Sequence, residues 1–139
     1  MTKVTFPGRY ESLAEISRYY IQAGKQAGLS DKAVYAVQTA VDEACTNIID
    51  HAYGGENIGV IECGYEINSN GLIITIQDHG RPFNPEIVPE PDLTSKLENR
   101  RERGLGLYFM KRLMDEVQFE FDSDDGNTLR MFKRKEKTT

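Results

Sequence analysis

Two periodicities follow one another in this chain, and their order confines it to few folds. Between Ser30 and Tyr53 the residues Val34, Val37, Val41, Cys45, Ile48 and Ala52 return at spacings of three and four, the stripe of a helix that buries one face. Ser30 reads as its N-cap and Gly54-Gly55 as its stop. After Gly55 the period falls to two. Ile61, Cys63, Tyr65 and Ile67 alternate with Glu62, Gly64 and Glu66, a strand with one wet face. Asn70-Gly71 closes a hairpin within the Asn68–Gly71 turn, and the returning strand puts Leu72, Ile74, Ile76 and Asp78 on one face. A striped helix beside half-apolar strands predicts helices laid on one side of a sheet.

The flanking segments extend that plan. Residues 3–7 read as a short opening strand closed by Pro7-Gly8. Ser12-Leu13-Ala14-Glu15 reads as a capping box for a helix with Leu13, Ile16, Tyr20, Ala23 and Ala27 inward and Gly28 at its end. Residues 81–103 are rich in Pro and charge, with room for a helical turn around Leu93–Leu97. A connection that long inside a compact domain is a lid, a binding loop or disorder. Gly104-Leu105-Gly106 precedes a helix with Leu107, Met110, Met114 and Val117 inward. Val117, Phe119 and Phe121 then alternate as a strand, Asp124 to Asn127 turn, and Leu129 to Arg134 return. Residues 133–139 read as a charged tail. The order β-α-α-β-β-loop-α-β-β predicts an α+β fold, a two-layer α/β sandwich with helices on one face of a mixed, mostly antiparallel sheet. One domain spans residues 1–139 in this reading.

Composition narrows the functions. Acidic residues number 22 against 17 basic ones, a net charge of −5, which disfavours direct nucleic-acid binding because that needs a basic surface. The longest aliphatic run, Leu72 to Ile76, is strand-sized, so neither a membrane span nor a signal segment is expected and a cytoplasmic location is. Cys45 and Cys63 lack CxxC spacing and fall on apolar faces, as buried free thiols do.

Polar residues beside the stripes carry the chemistry. Glu43 and Asn47 lie one helical turn apart on a shared face, and His51 continues that face. A lone amide or carboxylate is expensive to desolvate, so each needs a partner or a ligand. A carboxylate with an amide oxygen one turn away suits a hydrated Mg²⁺ and an oriented nucleophile; the same spacing also describes a solvated helix face. Asp78 inherits the inward direction of three aliphatic residues, unless the strand ends at Gln77 and Asp78 starts a turn. An inward Asp can accept from an exocyclic amine, with Gly80 leaving space for a flat ring. Gly104 and Gly106 introduce a helix N-terminus, where free N–H groups favour phosphates and glycine admits close approach. Arg100, Arg101 and Arg103 can add charge-assisted contacts. The shared demand is an adenine nucleotide with Mg²⁺. The chain has no GxxxxGK[ST], which excludes a P-loop, and no GxGxxG after a strand.

These motifs resemble those of a known family. Glu43-xxx-Asn47-xxx-His51-Ala52-Tyr53 resembles the N box of the GHKL ATPases, which have the Bergerat, histidine-kinase-like ATPase fold. Asp78-His79-Gly80-Arg81-Pro82-Phe83 resembles their first glycine box and Arg103-Gly104-Leu105-Gly106-Leu107 the second. Gly126-Asn127-Thr128 resembles the third, although a tighter Gly-Thr is commoner. The His-Ala-Tyr ending and the Asp-x-Gly-x-Pro-Phe form are similar to one branch, the bacterial anti-sigma-factor serine/threonine kinases.

The resemblance implies roles. Glu43 matches the general base, Asn47 the Mg²⁺ ligand, Asp78 the adenine-binding acid and Gly80 the glycine beneath the base. Gly104 and Gly106 match the phosphate-binding glycines, with Arg101, Arg103, Leu105 and Leu107 as further nucleotide contacts and residues 84–103 as the ATP lid. Thr128 matches a hydroxyl that supports the Asp–adenine contact, usually through water. His51 reads as structural and His79 as a turn residue. The implied protein is a homodimeric serine/threonine protein kinase that binds Mg·ATP, phosphorylates a small STAS-type anti-anti-sigma antagonist and regulates a sigma factor by partner switching. The alternative is a non-catalytic, ATP-responsive module that sequesters a regulatory partner. Glu43 favours the enzyme, because a module that only binds needs no base.

Overall fold

The computed structural model describes residues 3–82, 110–122 and 126–136. The described strands are β1 (Lys3–Pro7), β2 (Val60–Asn68), β3 (Gly71–Asp78), β4 (Glu116–Asp122) and β5 (Gly126–Arg134), in the spatial order β1-β2-β3-β5-β4. The sheet, expected to be mixed but mostly antiparallel, is antiparallel at each of the four described pairings. Helices α1 (Ser12–Gln26) and α2 (Asp31–Asn47) contribute one layer, and the core lies between them and the sheet.

Burial follows the periodicities. Along β3, Leu72, Ile74, Ile76 and Asp78 are buried while Ile73, Thr75 and Gln77 are half-buried, because successive strand residues face opposite sides. The α2 stripe of Val34, Val37, Val41 and Cys45 is buried in the same core. Tyr20 of α1 is fully buried, and its hydroxyl lies 3.1 Å from the Gly64 carbonyl oxygen and 3.0 Å from that of Thr75. Its one proton is shared between two strands, tying α1 to the sheet, and burial holds the phenol well above its ordinary pKa. Cys45 and Cys63 are buried free thiols; burial pushes Cys63 up to about 12.

Three local features depart from expectation. The helix at Ser12 has no side-chain cap. The carbonyls of Arg9 and Tyr10 accept from the Ser12 and Leu13 N–H groups at 3.0 and 3.1 Å, which supplies the first turn from the backbone and leaves Ser12 buried. Lys133 and Arg134, read both as the end of the returning strand and as the start of a charged tail, are the last residues of β5, paired with Leu72 and Gly71. The long helix changes character after Asn47. Residues Ile48–Ala52 form a π-helical turn. By contrast Ser30 caps α2 as expected, accepting from the Ala33 N–H at 3.1 Å.

Candidate nucleotide site

The π-turn joins the end of α2 to the loop after β3. Wider i→i+5 bonding, such as Tyr53 N–H to the Ile48 carbonyl at 2.9 Å, redirects the last carbonyls. The Ala52 carbonyl accepts from the Arg81 N–H at 2.8 Å, and the His51 carbonyl accepts from Arg81 Nε at 3.0 Å. The Tyr53 hydroxyl donates to the Val60 carbonyl at 2.5 Å and accepts from the His79 N–H at 3.0 Å. Gly80 sits inside this brace. A Cβ there would lie 2.5 Å from the Ala52 carbonyl oxygen, so only glycine admits the helix end. Its role is thus visible as close packing against the π-turn.

Asp78 closes the core face of β3 at 4 % exposure. The inward reading holds, because the strand runs through Asp78 rather than ending at Gln77, and the same side chain also starts the turn to Gly80. Its Oδ1 accepts from the Gly80 N–H at 2.9 Å and from Asn127 Nδ2 at 2.8 Å. Among the described residues no donor approaches Oδ2. Burial raises the Asp78 carboxyl above its ordinary value; the hydrogen bonds from Asn127 and Gly80 and the proximity of His79 oppose that rise. Among the described residues the site thus presents a buried carboxylate whose Oδ1 is held by two protein donors. A neighbouring cleft of about 500 Å³, within the usual range of small-ligand sites, is lined by His79, Gly80, Pro82, Phe121, Asp122, Gly126 and Asn127, with Asp78 behind them rather than in its wall.

Asn127 is the residue that motif matching passed over. It lies opposite Asp78 in the β3–β5 register, while Thr128 lies opposite Gln77. One step along a strand reverses the face, so Thr128 is on the side of the sheet away from Asp78, half-buried, and Asn127 is on the Asp78 side at 8 % exposure. The Asn between Gly126 and Thr128 was the available signal. Gly126 has φ +84°, and a Cβ there would lie 2.3 Å from the Asp78 carbonyl oxygen, which brings the start of β5 against the end of β3.

Glu43 and Asn47 both lie on α2, four residues apart and half-buried. His51 lies in the π-turn that follows and is exposed. His79 is likewise exposed, with Nε2 3.2 Å from Glu62 Oε1. Arg101, Arg103, Gly104, Leu105, Gly106 and Leu107 lie outside the described residues, as does the expected lid at 84–103.

A family model described as the histidine kinase-like ATPase domain matches residues 6–133. The chain belongs to this family. It is 31% identical over 135 residues to the serine-protein kinase RsbW of Bacillus thuringiensis (strain Al Hakam), covering 94% of this chain and 82% of that protein. The RsbW of Bacillus mycoides (strain KBAB4) is 30% identical over the same length. Among solved structures, the fold resembles the RsbU and RsbW domains of Rv1364c from Mycobacterium tuberculosis, with a TM-score of 0.62 and 12% identity, covering 96% of this chain. This chain spans 32% of that larger one. It also resembles the catalytic domain of the histidine kinase ThkA, with a TM-score of 0.56, 13% identity and coverage of 97% and 98% of the two chains. These matches place the two-layer sandwich in the histidine-kinase-like ATPase fold.

Proposed function

We propose that this protein is an ATP-dependent serine/threonine protein kinase that phosphorylates a small STAS-type antagonist and restrains a sigma factor by partner switching. The observation that carries the reading is Asp78, a buried strand-end carboxylate with Oδ1 filled by protein donors, in a chain of the histidine kinase-like ATPase family. Its Oδ2 accepts the exocyclic amine of adenine. Asn47 offers an amide oxygen to Mg²⁺, which needs few protein ligands when phosphates supply the rest. Bound Mg·ATP supplies the phosphoryl group. Glu43 takes the proton from the attacking Ser or Thr hydroxyl of the antagonist as the new O–P bond forms and ADP departs. Arg101, Arg103, Gly104, Leu105, Gly106 and Leu107 contact the nucleotide. The relatives named as serine-protein kinases support this reading. The protein acts in the cytoplasm as a homodimer. Among the described residues no helix is long and apolar enough to cross a membrane.

The test has two parts. Titration calorimetry should show ATP preferred over GTP, and Asp78→Ala should weaken ATP by at least about tenfold, the scale of a hydrogen bond to a charged acceptor. Mass spectrometry should then detect a phosphorylated Ser or Thr on a STAS-type protein encoded beside this one. A parent protein that binds that antagonist and ATP together, yet never yields phosphorylated product, is a binding module instead.

A further inference from the structure

We propose that Asn127 is a positioning residue that sets selectivity for a 6-amino purine, by holding Asp78 with one carboxylate oxygen filled and the other turned to the base. This rests on the adenine-nucleotide reading of the site. The side-chain amide nitrogen carries two protons and can satisfy two acceptors. Asn127 Nδ2 is 2.8 Å from Asp78 Oδ1 and 3.1 Å from the Gly80 carbonyl oxygen, with the Arg81 carbonyl at a longer 3.5 Å. One proton therefore goes to the carboxylate and the other to the glycine loop. Terminal rotation of an Asp carboxylate is soft and nearly two-fold. A donor from the facing strand together with the Gly80 N–H, 2.9 Å from the same oxygen, removes that freedom. A single hydroxyl at this position can fill the carboxylate or the loop carbonyl, but it cannot donate to both.

A purely structural clamp makes a different prediction. If Asn127 only satisfies a buried carboxylate, its loss weakens every purine nucleotide alike. If it aims Asp78, the loss is confined to ligands with an N–H at the 6-position. Mg·ATP and Mg·purine riboside triphosphate, which lacks the amino group, separate the cases by calorimetry on the full chain. The parent should prefer ATP by at least about tenfold, the scale of one hydrogen bond to a charged acceptor. Asn127→Leu, close in size, should cut that preference to about threefold or less while changing the affinity for the amine-free analogue by less than about twofold. In an Asp78→Asn background, adding Asn127→Leu should leave the ratio unchanged. Asn127→Thr keeps one donor on a residue suited to a strand and should give an intermediate ratio; it carries the test if Asn127→Leu does not fold. A variant that keeps the parental ratio, or one that loses both ligands equally, overturns the proposal while leaving the adenine reading in place. A parent that does not distinguish the two nucleotides overturns both.

Discussion

Gly80 and Ala52 are in backbone contact: a Cβ on Gly80 would lie 2.5 Å from the Ala52 carbonyl oxygen and 2.6 Å from its carbon. Neither atom is the end of a flexible side chain, and the same carbonyl already holds the Arg81 N–H at 2.8 Å. The loop cannot take a methyl group without pulling away from the end of the π-turn.

Gly80→Ala should therefore act on both fold and site. Overpacking at a close contact typically costs about 1–3 kcal/mol, and urea denaturation should show a loss in that range. Because the Gly80 N–H also holds Asp78 Oδ1, ATP affinity should fall as well. A variant with parental stability and affinity would mean that the helix end and the loop are not in contact.

Asp78 should trade stability for binding. Burial raises its native pKa above the ordinary 3.8, so the folded chain takes up the proton more readily than the unfolded one. Ionised Asp78 therefore weakens the fold at neutral pH, and that penalty fades as pH falls through the native value toward the unfolded one. Asp78→Asn keeps an acceptor for Gly80 and Asn127 but removes the charge. Its Tm should exceed the parent's near about pH 7, with the gap closing toward about pH 4, while ATP binding weakens. Thermal scans at the two pH values check this, and a variant less stable than the parent near neutrality would show that the buried charge is favourable.

Much of this arrangement could be read directly from residue order. Leu72, Ile74 and Ile76 alternate because one side of β3 is buried, and the same period aims Asp78 inward. The features that escaped depend on distant neighbours. Nothing in Ile48–Ala52 marks a π-turn; the carbonyls it redirects are taken by Arg81, thirty residues from His51. Ser12 and Glu15 have capping-box spacing, yet the preceding backbone turn supplies the helix start. Choosing between Asn127 and Thr128 requires the β3–β5 register, which no local pattern contains. A motif match tolerates a one-residue offset, but a strand converts that offset into the opposite face.

Asn47 should act through the metal. It is half-buried at the last position of α2, just before the π-turn. Asn47→Ala removes an amide oxygen and should weaken Mg·ATP by at least about fivefold while changing metal-free ATP much less, because the lost contact is to the ion. Parallel calorimetry with Mg²⁺ and with a chelator measures the difference. An equal defect under both conditions would mark Asn47 as a structural amide.

Glu43 separates an enzyme from a switch. It lies one turn before Asn47 on α2, half-buried, and a positioned general base typically contributes about 10²–10⁴-fold to rate. That contribution is made in the transition state and need not appear in ground-state affinity. Glu43→Gln preserves size and hydrogen bonding but removes basicity. The variant should bind Mg·ATP within about twofold of the parent and lose phosphotransfer to the antagonist by about a hundredfold or more. Single-turnover phosphorylation, followed by mass spectrometry at saturating Mg·ATP, isolates the chemical step from binding. Unchanged phosphotransfer in a variant that still binds nucleotide would remove Glu43 from the mechanism, and the proton would then have to leave by another route.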